Sequence, residues 1–207
     1  MSYQLFIFDF DGTLADSFPF FVEVFNDLAR KHGFRCIEAQ EVQALREHGA
    51  REVMKRVGMP AWKLPMVSAS FIGLMKAQTR RIPLFEGMEA VLRQLAGAGV
   101  KLAVVSSNAE DNVRAVLGPE LAGLIAHYEC GMSIFGKASR IRRVLAATGT
   151  PAARALCVGD QVTDLEASRA EGVPFAAVAW GYGTPQSLAA HKPQWLLNDV
   201  RELVRLA

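Results

Sequence analysis

Four short stretches of the chain are apolar throughout: QLFIF near residue 6, VKLAVVS near 103, RALCVG near 156 and VPFAAVAW near 176. None alternates polar with apolar, so each predicts a strand covered on both faces, as in a parallel sheet. LIAHYE near residue 125 is a further, shorter candidate. Helical spacing falls between these runs. Met88, Val91, Leu92 and Leu95 repeat at i, i+3, i+4 and i+7, and Gly97 and Gly99 end that helix. Ile141, Val144 and Leu145 mark another, with Arg140, Arg142 and Arg143 on its wetter side and Gly149 beyond its end. Strand and helix in alternation predict an α/β fold: a Rossmann-like open parallel sheet with helices on both faces.

The stretch from Ser17 to Ile82 breaks the alternation. Phe18, Phe21, Val22, Phe25, Leu28 and Ala29 form one helical stripe, read as core rather than as a cofactor box. Helical patterns continue from about Glu38 to Val57 and from Trp62 to Arg80, with no convincing strand. The expected organisation is an α/β core of residues 1–16 and 83–207, interrupted by an all-helical insertion over 17–82. The proline-containing stretches SFPF and RIPLFEG are the candidate hinges.

Composition narrows the partners. Over 207 residues the net charge is +2, and no long basic run carries interleaved aromatics. Neither nucleic acid nor a membrane surface is expected as a partner. Cys36, Cys130 and Cys157 lack metal-ligand spacing, and Cys157 sits in an apolar run as a small core residue. The apolar start is cut by Asp9 and lacks a basic leader, so a cytoplasmic protein is expected, as a monomer or weak homodimer.

The chemistry begins where the first strand ends. Asp9 and Asp11 follow it with only Phe10 between them, and Gly12 lets the backbone turn sharply. Two carboxylates held together need a proton or a cation, and an oxygen-only ligand set suits magnesium. Taken alone, the same residues are equally a turn with two solvated acids. Three other stretches bear on the choice. VVSSN puts Ser106 at a strand end, FGKASR puts Lys137 before a helix, and GDQVTD puts Asp160 and Asp164 after a later strand. Each has an ordinary reading on its own, Ser106 as a helix cap and Lys137 as a surface lysine. In a parallel sheet, however, all of them converge on the carboxyl rim, where ligands gather. Lys101 starts a strand and belongs at the opposite edge.

This ordered set resembles the haloacid-dehalogenase-like (HAD) hydrolase superfamily. DFDGTLADS is similar to its first motif, Ser106 to the second, Lys137 to the third, and Asp160 with Asp164 to the fourth. The stretches PLFEGMEAVLRQLAGAGVKLAVVSSN and VGDQVTDLEASRAEGVPFAAVAWGYGT resemble the phosphoglycolate-phosphatase-like branch. The resemblance implies a magnesium-dependent phosphatase acting on a small phosphorylated metabolite, phosphoglycolate-like or a sugar phosphate. Asp9 would be the nucleophile and form an aspartyl-phosphate. Asp11 would protonate the leaving oxygen and later take a proton from water. Magnesium would be held by Asp9, the Asp11 carbonyl and Asp160, with Asp164 binding or orienting its water. Ser106 and Lys137 would hold and neutralise the phosphoryl group. An Asp two residues after the nucleophile argues for phosphate chemistry over dehalogenation.

Ser107 stands where many such phosphatases carry Asn, with Asn108 one place later, and both are candidate substrate contacts. The insertion takes the position of the family's helical cap. There Arg46, His48 and Arg51 could read an anionic group, or could simply form a solvated turn around Gly49. Trp180 and Tyr182 are expected to pack under a loop. A sugar phosphomutase using the same residues, or a non-catalytic module on this fold, are the alternatives.

Overall fold

The structure, a computed structural model, describes residues 3–42, 50–131 and 136–207. Its sheet has six parallel strands: β1 (Leu5–Phe8), β2 (Lys101–Val105), β3 (Ile125–Glu129), β4 (Ala155–Gly159), β5 (Phe175–Val178) and β6 (Trp195–Leu197). The spatial order is β3-β2-β1-β4-β5-β6. Side chains alternate between two faces, and both faces are buried. In β1, Phe6 and Phe8 join one apolar cluster while Leu5 and Ile7 join another. In β2, Leu102 and Val104 go one way and Ala103 and Val105 the other. This is why the strands read as unbroken apolar runs. β6 escaped the sequence pattern, being only three residues long with Trp195 exposed at the sheet edge.

The helices between β1 and β2 are α1 (Phe18–His32), α2 (Ala50–Arg56) and α3 (Leu64–Ala77), followed by α4 (Met88–Gly97). Then come α5 (Glu110–Leu124), α6 (Gly136–Thr148), α7 (Val162–Ala170) and α8 (Pro185–Ala190). α4 and α5 cover one face through Met88, Leu92, Leu95 and Val113. α6, α7 and α8 cover the other through Ile141, Val144, Leu165 and Leu188. No helix among the described residues is long and apolar enough to cross a membrane.

Among the described residues, no strand lies between β1 and β2. The predicted helix over 38–57 is described only in part, and 62–80 becomes α3 flanked by short 3-10 turns. The two connections to this helical region run side by side. Asp16 N donates to Pro83 O at 2.9 Å and Phe85 N donates to Leu14 O at 3.0 Å. The predicted α1 stripe is only partly core: Leu28 joins the main core with Phe20 and Val24, which lie off the stripe, and Phe25 and Ala29 pack with Ile37 and Val57, while Phe18, Phe21 and Val22 are half-buried.

The strand order also fixes where a site can form. The chain runs outward from β1 through β2 to β3, then returns to β4 on the other side of β1. The crevice beyond the carboxyl ends of β1 and β4 is this switch point. Phe8 pairs with Val104 on one side and Val158 on the other, so the three strands end level.

Candidate active site

Asp9 leaves β1, Asp160 leaves β4, and Asp164 sits in the first turn of α7. All three are buried, and each presents one oxygen to a group of atoms lying within 4.8 Å of one another. Lys137, at the start of α6, places Nζ 2.9 Å from Asp9 Oδ2 and 2.5 Å from Asp164 Oδ1. Two further donors fix Asp160: Thr13 Oγ1 to Oδ1 at 3.1 Å, and Tyr182 N to Oδ2 at 2.7 Å. Gln161 N donates to Asp164 Oδ2 at 3.1 Å.

Burial is the main influence on these groups. It pushes the Asp9 pKa well above the usual carboxylate value; Lys137 opposes the shift, and Asp164 and Asp160 reinforce it. Burial, with Asp164 beside it, lifts Asp160 to about 7. For Lys137 burial works against the charge, but Asp164 and Asp9 outweigh it and the ammonium persists. Among the described residues, three carboxylates therefore share the one fixed positive charge of Lys137. A hard divalent cation is the natural complement of that surplus, and the oxygen-only donor set fits one.

The Asp11 side chain stands outside this group of three. Asn108 Nδ2 donates to its Oδ2 at 3.0 Å, while its buried Oδ1 has no partner among the described residues. Burial raises its pKa, against the hydrogen bonds from Ser17 and Asn108. Burial thus favours the protonated carboxyl more than water would.

Ser106 is buried at the end of β2, where its Oγ accepts from Asn108 N at 3.0 Å. It is not a helix cap, because α5 begins after Ala109. Ser107 is exposed, whereas Asn108 is buried. The asparagine displaced by one place is thus the one that reaches Asp11. Asn112 Nδ2 donates both to Asn108 Oδ1 and to Ile72 O of α3, each at 3.0 Å. Lys101 lies at the opposite edge, exposed, donating to Thr148 O. Arg46 and His48 lie outside the described residues, as does the side chain of Arg51.

One sequence expectation needs correction. Arg140 is not on the wet side of α6 but buried, donating to the carbonyls of Ser106 and Gly131. The one-helix pattern could not show that two strand ends close over that position. Trp180 and Tyr182 do more than fill space under a loop. Trp180 Nε1 donates to Thr13 O at 3.1 Å, and the Tyr182 hydroxyl lies 2.9 Å from Ser17 Oγ. The available signal was the glycine spacing in WGYGT. A Cβ on Gly181 would strike Asp160 and the Gly12 carbonyl, and one on Gly12, at φ 80°, would lie 2.5 Å from Asp160 Oδ2.

Buried acids at a switch point, bridged by one lysine, make a site suited to a hard divalent cation. Residues 6–178 match the family model described as haloacid dehalogenase-like hydrolase. The chain is 32% identical over 203 residues to a phosphoglycolate phosphatase of Synechococcus elongatus, covering 98% of this chain and 96% of that one. It is 30% identical over 186 residues to a Mycobacterium tuberculosis protein named tyrosine-protein kinase PtkA, covering 87% of this chain and 63% of the other. In fold it resembles a haloacid dehalogenase-like family hydrolase from Streptococcus pneumoniae, with TM-score 0.81, 17% identity and coverage of 98% and 97%. It also resembles CbbY from Rhodobacter sphaeroides solved with phosphate, with TM-score 0.72, 22% identity and coverage of 97% and 96%. The chain belongs to the haloacid dehalogenase-like hydrolase family, and within it to the phosphatase type.

Proposed function

We propose that this protein hydrolyses a small phosphorylated metabolite, phosphoglycolate or a compact sugar phosphate, through an aspartyl-phosphate on Asp9. The observation that carries this reading is Lys137 bridging Asp9 and Asp164 inside the carboxylate group, with a buried, partly uncommitted Asp11 two residues on. An Asp9 oxygen attacks phosphorus as the ester P–O bond breaks, and Asp11 gives its proton to the departing alkoxide. Asp11, now ionised, takes a proton from water, which attacks the same phosphorus and releases phosphate from Asp9. Lys137 offsets the charge of nucleophile and phosphoryl group throughout. Ser106 Oγ and the Ser107 backbone N–H hold phosphoryl oxygens, and Asn108 keeps Asp11 in place. Asp9 and Asp160, with Asp164 and the Asp11 carbonyl in support, hold magnesium, which masks the negative charge that would otherwise repel the substrate. The helical insertion, residues 17–82, closes as a cap that excludes water, with Arg46 and Arg51 reading the anionic end of the substrate.

The test is phosphate release from phosphoglycolate, sugar phosphates, nucleotides and p-nitrophenyl phosphate, with magnesium and with chelator. Magnesium-dependent turnover that disappears in Asp9→Asn is the expected result. Activity unchanged in that variant defeats the reading. Isomerisation of a sugar phosphate without net phosphate release would replace hydrolysis with a mutase reaction.

A further inference from the structure

Arg140, like Lys137, is a long charged side chain of α6 that faces inward, and it is only 4% exposed. Among the described residues it has no ion-pair partner. Its guanidinium is satisfied by backbone instead: Nη1 donates to Ser106 O at 2.6 Å and Nη2 donates to Gly131 O. A buried cation without a counter-charge is costly, and the fold keeps it only where its N–H groups are met. The planar fork matters here, because two carbonyls from different strand ends are held by one rigid group.

What those carbonyls belong to is the point. Ser106 leaves β2 and Gly131 follows β3. Gly131 N in turn donates to Asn108 O at 2.6 Å, and Asn108 holds Asp11. One helical turn before Arg140 on the same helix stands Lys137. A closed ring of contacts thus runs from α6 to Ser106, on through the turn to Asn108, across to Gly131 and back to α6. A peptide unit is planar, with its C=O and N–H on opposite sides. Holding the Ser106 C=O toward Arg140 turns the Ser107 N–H away from it, and that N–H has no partner among the described residues.

We infer that Arg140 is a positioning residue of the phosphoryl site. It fixes the Ser106–Asn108 turn to the helix that carries Lys137, so that hydroxyl, amide and ammonium keep the spacing a transferring phosphoryl group requires. The inference rests on the phosphatase reading above. It adds a residue that touches neither substrate nor metal ligand and acts through the peptide of Ser106.

Two variants test it. Arg140→Met keeps the apolar stem and removes the fork; Arg140→Lys keeps the charge but can hold only one carbonyl well. With p-nitrophenyl phosphate and magnesium, Arg140→Met should lose roughly 10²-fold in kcat, with a much smaller change in KM. Orthovanadate, a mimic of the five-coordinate transition state, should bind at least about tenfold more weakly by calorimetry. Arg140→Lys should fall between Arg140→Met and wild type in both. A purely structural role would lower Tm and the number of binding sites but leave the vanadate Kd alone. A Kd within about twofold of wild type in folded Arg140→Met overturns the inference, and Arg140→Lys decides in the same way if the methionine variant does not fold. Wild-type protein that neither hydrolyses phosphate esters nor binds vanadate would overturn the phosphatase reading itself, which is a distinguishable result.

Discussion

The carboxyl rim of the sheet and the helical insertion handle charge in opposite ways. At the rim, Asp9, Asp160, Asp164 and Arg140 are all buried, and each is held by named donors or acceptors. In the insertion the ion pairs lie in water, such as Arg30 with Asp27, whose side chains are 67% and 73% exposed. Ser17 apart, what the insertion buries among the described residues is apolar, for example Phe20, Phe25, Leu28 and Met75. Solvated charges cost the fold little and signify little. Buried ones must be met by partners, so their arrangement carries information about chemistry. The two regions meet at few polar points, notably Tyr182 with Ser17 and Asn112 with Ile72 O.

Glycines separate the regions most sharply. Gly181 lies against Asp160 and the Gly12 carbonyl, with no room for a methyl group. Gly181→Ala must push the loop away from Asp160 and break the hydrogen bond from Tyr182 N. The expected loss in kcat/KM is on the order of 10²- to 10³-fold, with weaker magnesium binding by calorimetry. Activity near wild type would show that the rim tolerates slack and that burial there is not about precision.

That loop also shows where sequence reasoning stops. Asp9, Ser106, Lys137 and Asp160 were legible because each follows an apolar run or precedes a helical one, and a parallel sheet brings such positions to one rim. Strands β1, β4 and β5 were legible because burial on both faces leaves no polar side chain in them. Arg140 was not, because helical spacing orders residues around one axis and says nothing of the loops that close over it. Tyr182 was not, because it acts on Asp160 through its backbone N–H, which every residue but proline possesses. The anionic-group readers proposed for the insertion, Arg46 and Arg51, follow no apolar strand-like run in the sequence, so the rim argument does not reach them.

The charge contrast can be tested through pH. Asp160 is raised from 3.8 to about 7 by burial and by Asp164, and Asp9 is raised as well. A carboxyl with a raised folded-state pKa keeps its proton where the unfolded chain has lost it. Metal-free protein should therefore lose stability as pH rises from about 4 to about 7, by up to a few kcal/mol, and level off above. Magnesium replaces the proton as counter-charge, so the slope should flatten when it is added. Urea midpoints across this range, in chelator and in magnesium, measure both effects. A midpoint in chelator that rises with pH would mean that the acids are stabilised as anions by the protein alone.

A smaller effect of opposite sign belongs to the insertion. Gly73 lies on the exposed side of α3, and an added Cβ meets nothing within 4 Å. Gly73→Ala removes backbone freedom from the unfolded chain at a position already helical. It should stabilise by roughly 0.4–1 kcal/mol in a denaturant titration. Unchanged turnover would accompany it if the helical region needs no local bending at that point, and reduced kcat at unchanged vanadate affinity would locate a closing motion there.

The smallest effect should come from Arg30→Ala, and its smallness is the point of the comparison. The pair with Asp27 is short, at 2.7 Å, one turn apart on α1. By distance alone it rivals the contact between Lys137 and Asp9, at 2.9 Å. But solvent screens the Arg30 pair on every side, and holding two long side chains together costs them rotamer freedom. Its loss should change stability by no more than about 0.5 kcal/mol, and less in high salt, with kcat and KM untouched. Lys137→Ala breaks a contact of similar length yet leaves the buried Asp9 and Asp164 without their shared counter-charge, so magnesium binding and turnover should both respond. Equal responses from the two variants would show that separation, rather than burial, sets what an ion pair does in this molecule.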